Sequence, residues 1–170
     1  METHQSFLFT IAQIATAFVG FSTVVRAITP DIDQFLIRQR LLMDVAVIGF
    51  TVVAGALLPY VIGQWNVSES TTWQVSSALA LAASLAGFVP AAKTYGNASG
   101  VLLIIPVYGR LLSFGNAVIC AVAFGMLLWN TLSPGTHSDV RYISSLVLEL
   151  GIAAIAFLSS GFAPTQRLRQ

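Results

Sequence analysis

The stretch RQRLLMDVAVIGFTVVAGALLPYVIG, residues 38–63, decides the fold. It opens on Arg38 and Arg40, continues through some twenty mostly apolar residues that hold one carboxylate, Asp44, and closes on Pro59-Tyr60. Gln64 and Trp65 follow at once. A cationic start, an apolar interior as long as a bilayer core is thick and an aromatic end describe a helix that crosses a membrane. The arginines set its direction, because Lys and Arg stay on the cytoplasmic side.

The rest of the chain agrees. Of its 170 residues 56% are hydrophobic and 9% charged, and the mean hydropathy is +0.81. Soluble domains carry roughly 25% charged residues, so a soluble fold of this size would lack a solvated surface. A net charge of +1 gives no basic patch to neutralise phosphates, which argues against nucleic acid as a partner. The lipid bilayer is the expected surrounding.

Apolar runs predict an all-α bundle of five transmembrane helices in one domain, with spans at 7–26, 38–63, 74–92, 110–130 and 142–162. The first run has neither the positive start nor the small-residue cleavage site of a signal peptide, and reads as a retained helix. Thr29-Pro-Asp-Ile-Asp33 reads as a turn, with Asp31 or Asp33 capping the second helix. Residues 93–109 read as a cytoplasmic loop. Its apolar part, 101–108, is too short to span and is interrupted by Pro106, so it lies at the interface or overhangs the fourth helix.

With the amino terminus outside and the carboxyl terminus in the cytoplasm, seven of the eight Lys and Arg fall inside and Arg141 alone falls outside. Tyr60, Trp65, Trp73, Trp129 and Tyr142 then belong to an outer aromatic belt, and Tyr95 and Tyr108 to an inner one.

A rise of about 1.5 Å per residue sorts the intramembrane polar groups by depth. Gln13 and Glu149 sit about 10 Å below the outer boundary, Asn116 about 8 Å and Asp44 about 5 Å above the inner one. Asp44 has cations at its level in Arg40, one turn earlier, and Arg26, which predicts a structural ion pair. Glu149 has none within two turns except Arg141, so the reading gives it Gln13 as a hydrogen-bond partner and carries it in its neutral form. Two roles follow from that pair: a clamp between the first and fifth helices, or the lining of an ion path together with Asn116.

Small residues recur every fourth position: Ala117, Ala121 and Gly125 on the fourth span, Ser76, Ala80 and Ser84 on the third, and Ala12, Thr16 and Gly20 on the first. Such faces let helices approach closely. One bundle core does not need three of them, which points to a homo-oligomer or a membrane-protein partner, with packing inside the monomer as the equal alternative.

No catalytic constellation is present in the sequence. Cys120, the single cysteine, lies in an apolar run and reads as a packing residue. His4 and His137 stand outside the spans without cysteine partners, so neither a metal nor another cofactor is expected. Asn66-Val-Ser68 fits a glycosylation acceptor by three residues only.

Ala17-Phe-Val-Gly-Phe21, Arg40-Leu-Leu-Met-Asp44, Leu57-Leu-Pro59 and Trp73 with Ser76-Ser77 resemble a loose group of small bacterial multi-pass inner-membrane proteins. The resemblance touches the first half of the chain. It implies a bacterial inner membrane and brings no activity with it. The expectation is a non-enzymatic membrane subunit acting through helix packing, the alternative a small oligomeric channel or transporter around Glu149 and Gln13.

Overall fold

The computed structural model describes residues 2–28, 36–97 and 107–162. They form five helices: α1, Glu2–Ile28; α2, Leu36–Gly63; α3, Glu69–Asn97; α4, Val107–Leu132; and α5, Ser138–Phe162. α1, α2, α4 and α5 are each long and apolar enough to cross a membrane. In hydrocarbon a helix satisfies its own backbone, which is why long apolar runs settle into this form. α3 is longer still at 29 residues, but its first half is richer in Ser and Thr than the other helices.

Two turns are pinned by serine. The Ser68 hydroxyl accepts the Thr71 N–H at 3.2 Å and caps the first turn of α3. The Ser138 hydroxyl accepts the Gly135 N–H at 2.8 Å where α5 begins.

The helices run alternately up and down, so one end of the bundle gathers the starts of α1, α3 and α5 with the finishes of α2 and α4. Phe9 meets Tyr60 there, and Trp73 meets Tyr142. The Gln74 amide donates to the Thr131 carbonyl at the same end. α5 is central: it touches the other four helices, while α2 is wedged among α1, α3 and α5. Glycines mark the tightest crossings. A methyl added at Gly49 would lie 2.5 Å from Val19 of α1, at Gly55 2.8 Å from Leu146 of α5, and at Gly87 2.9 Å from Val47 of α2.

Polarity is distributed as in a lipid-solvated protein. Phe21, Phe50, Phe114 and Leu158 project outward, whereas Ser22, Ser76, Ser77, Asn130, Ser145 and Glu149 are buried. In water so extensive an apolar exterior would drive association.

The structure revises two expectations. Trp73 and Tyr142 are buried in the bundle rather than placed in an aromatic belt, and Tyr60, Trp65 and Trp129 remain exposed at that end. Their polar atoms explain the difference for Tyr142, whose hydroxyl finds a partner inside. Residues 93–97, expected as loop, continue α3, whereas Val107 and Tyr108 open α4, in keeping with the overhang expected of the fourth helix. A 29-residue helix is about 43 Å long and outreaches a hydrocarbon core of about 30 Å. The expected turn at 29–33 and residues 101–106 lie outside the described residues.

Candidate functional site

The polar interior lies along the α3 face that carries Trp73, Ser77, Ala80 and Ser84, against α4 and α5. These positions recur at intervals of four, three and four residues and so share one side of the helix. All four are buried.

At the deepest level the Ser84 hydroxyl donates to Glu149 Oε1 at 2.8 Å. Glu149 is 4% exposed, so this bond answers part of the cost of placing a carboxyl group among helices. About 10 Å nearer the end that carries His4, two helical turns back along α3, Asn130 of α4 uses its amide twice. Its Nδ2 donates to Ser77 Oγ at 2.8 Å and to the Ser138 carbonyl at 2.9 Å. Asn130 thereby ties α3, α4 and the start of α5. Its Oδ1 is buried and meets no donor among the described residues, and the same holds for Ser76 Oγ. An unanswered buried polar atom costs roughly 1–3 kcal/mol.

Between these levels α5 contributes Ser145, whose hydroxyl donates to the Tyr142 carbonyl at 2.6 Å. Above them the Tyr142 hydroxyl donates across to the Gly55 carbonyl of α2 at 2.6 Å. At the rim His4 Nε2 lies 3.2 Å from Asp139 Oδ2, and its ring meets Trp73 edge-on with centroids 6.3 Å apart. The polar column thus reaches from the bundle end down to Glu149. Past Glu149, α5 buries only Ile152, Ala153 and Ala156 among its described residues.

The partner expected for Glu149 is corrected. Gln13 is exposed on α1, because α1 buries Leu8, Ile11, Ala12, Ala15 and Val19 and position 13 falls outside that stripe. Ser84 takes its place. Asn116 stands apart, half-buried nearer the opposite end of α4, with Oδ1 unanswered among the described residues. Asp44 is half-buried and Arg26 exposed, and the Arg40 side chain lies outside the described residues.

The small-residue faces divide. Ser76, Ala80 and Ser84 are buried, as is Ala12. Ala117, Ala121, Gly125 and Gly20 are exposed among the described residues. A methyl added at Gly125 or Gly20 would touch nothing within 4 Å.

The sequence reading missed Asn130, Ser77, Tyr142 and the His4–Asp139 pair. Asn130 and Ser77 were legible as polar residues near the same end of neighbouring antiparallel helices. Tyr142 had a signal in Pro59, which leaves a carbonyl one turn earlier in need of a donor.

No protein-family model, curated protein or solved structure matches the chain.

Proposed function

We propose that the chain is a non-catalytic, multi-pass subunit of a bacterial inner membrane that works by packing the outward face of α4 against a second copy. The observation that carries this reading is Gly125. A glycine inside a helix costs about 1 kcal/mol relative to alanine. Among the described residues Gly49, Gly55 and Gly87 have close neighbours, whereas Gly125, like Gly20, Gly115 and Gly151, has none; of these, Gly125 continues the Ala117 and Ala121 row on one exposed face of α4. With Ala117 and Ala121 it leaves a smooth strip on which another helix backbone can settle. A shallow apolar groove bordered by Gly125, Leu128, Trp129 and Leu132 continues the strip towards the bundle end.

In this reading α3 also crosses the membrane, making five spans. Its serines turn inward, and Leu79, Leu85 and Phe88 give it an apolar outer side. The amino terminus lies outside, following the distribution of Lys and Arg. An ion path lined jointly by Glu149 and Gln13 is not proposed, since Gln13 faces away from the bundle.

Gly125→Cys tests the interface. In native membranes mild oxidation should give a disulfide-linked dimer of this chain, while Gly20→Cys on the opposite helix face serves as the comparison. Gly125→Leu should convert the detergent-extracted oligomer to monomer without loss of helicity. A wild-type chain that sediments as a monomer across its concentration range would sink the proposal.

A further inference from the structure

In the topology drawn from the Lys and Arg distribution, Arg141 alone lies outside, and it stands where an apolar groove ends. We propose that Arg141 and the groove along the last turns of α4 bind one anionic phospholipid, its phosphate on the Arg141 guanidinium and an acyl chain in the groove. The site is complete on a single chain and does not depend on the α4 dimer. The strip proposed for the second copy, Ala117, Ala121 and Gly125, shares only Gly125 with it.

The groove is lined by Gly125, Leu128, Trp129, Leu132 and Ser133. From Gly125 to Ser133 it runs about 12 Å along α4, close to the roughly 15 Å of hydrocarbon that one leaflet contributes. Trp129 and Leu132 remain largely exposed, which leaves the groove open to lipid. Two of its five residues also hold the cation. The guanidinium carbon of Arg141 lies 5.7 Å from the centre of the Trp129 ring, and Nη1 donates to the Ser133 carbonyl at 3.3 Å. An apolar channel of nearly leaflet depth that closes on a fixed cation matches an amphiphile with a charged head.

The sign of that head follows from what Arg141 lacks. Among the described residues no carboxylate lies within ion-pairing distance of it, and Asp139, two positions earlier on α5, is engaged by His4. Positions two apart do not share a helix face. A guanidinium carries five N–H donors in a planar fork, and the Ser133 carbonyl takes one of them. The indole holds the fork in place, and a lipid phosphate can take two of the remaining donors side by side. Ser133 is exposed and adds a hydroxyl at the same level. A zwitterionic headgroup brings its own ammonium beside the guanidinium, which disfavours it against a headgroup of net negative charge.

Native mass spectrometry of the full chain released from detergent tests this, because it resolves monomer from dimer and counts the lipid on each. The probes are phosphatidylglycerol and phosphatidylethanolamine with identical acyl chains, and glycerol 3-phosphate as a head without a chain. One phosphatidylglycerol per chain should be retained on monomer and dimer alike, in preference to phosphatidylethanolamine, and glycerol 3-phosphate should be lost. Arg141→Gln should lower the phosphatidylglycerol-bound fraction about tenfold, the loss of a charge-assisted contact. Arg141→Lys keeps the charge without the fork and should fall between. Trp129→Leu, which removes the surface that holds the fork, should also weaken retention and serves should the glutamine variant not fold. Arg26→Gln, at an exposed position near the finish of α1 and the other end of the bundle, should change nothing. Equal retention of the two phospholipids, retention of glycerol 3-phosphate as firm as that of the lipid, or undiminished phosphatidylglycerol on Arg141→Gln would overturn the proposal. Lipid on the monomer that the dimer excludes would also overturn it, by giving the groove to the second copy. A chain that stays monomeric yet keeps its phosphatidylglycerol would remove the dimer and leave this site standing.

Discussion

The Tyr142 hydroxyl donates to the Gly55 carbonyl at 2.6 Å, and this is the carbonyl that Pro59 deprives of its helical donor. α5 therefore supplies in trans the hydrogen bond that α2 cannot make in cis. The absence of a side chain at Gly55 permits the contact, since an added methyl would lie 2.8 Å from Leu146 and 3.6 Å from the Tyr142 oxygen.

Tyr142→Phe should cost roughly 1–3 kcal/mol, the penalty of leaving a buried carbonyl unanswered. Pro59→Ala restores an N–H in α2 and should make the tyrosine hydroxyl dispensable. A double-mutant cycle on thermal unfolding in detergent reads the coupling. Equal losses from Tyr142→Phe in the Pro59 and Pro59→Ala backgrounds would refute the relationship.

How much of this was readable beforehand depends on which question is asked. Helix positions follow from apolar run length, and residues 38–63 locate α2 to within a few residues because a bilayer sets that length. Position along the bundle was readable too: Tyr60, Trp65, Trp73, Trp129 and Tyr142 gather at one end. The face that each helix turns inward was not. In lipid both faces are apolar, so Phe7, Phe9, Ile14 and Phe21 on the outside of α1 look no different from Leu8 and Ile11 on the inside. Matching Gln13 to Glu149 used height alone, and rotation about the helix axis decided against it.

Glycines offer the sharpest contrast between inner and outer faces. Gly49→Ala places a methyl 2.5 Å from Val19 and 3.4 Å from the Ala15 carbonyl, so α1 must shift away from α2. A loss of about 1–3 kcal/mol is expected from such overpacking. Gly125→Ala meets nothing in the monomer and should be neutral or stabilise the isolated chain by up to about 1 kcal/mol. Unfolding in a detergent that keeps the chain monomeric separates the two; a Gly125→Ala loss as large as that of Gly49→Ala would contradict the packing described.

Topology is tested by labelling. Ser70 is exposed near the start of α3 and Ala27 is exposed at the finish of α1, at opposite ends of the bundle. Ser70→Cys, in a chain whose Cys120 is replaced by alanine, should react with an impermeant thiol reagent added outside intact cells. Ala27→Cys should react only after the membrane is opened. The reverse pattern would invert the orientation drawn from the Lys and Arg distribution, and labelling of both sites in intact cells would remove the spanning assignment of α1.

Glu149 and Ser84 form the remaining pair whose energy can be isolated. Glu149→Gln keeps an oxygen at the position where Ser84 donates, and should leave thermal stability close to wild type. Glu149→Leu removes the acceptor, but the Ser84 hydroxyl can turn to the carbonyl one turn back on its own helix. The loss should therefore stay within about 0.6–2 kcal/mol, the range of polar contacts between membrane helices. Ser84→Ala acts on the other partner and takes away the donor of a buried carboxyl oxygen. It should cost more in the wild-type chain than in the Glu149→Leu background, where that oxygen no longer exists. A cycle of the four proteins gives the coupling directly. If Ser84→Ala costs the same in both backgrounds, the 2.8 Å bond contributes nothing to holding α3 against α5, and the alanine-lined packing around it carries the contact alone.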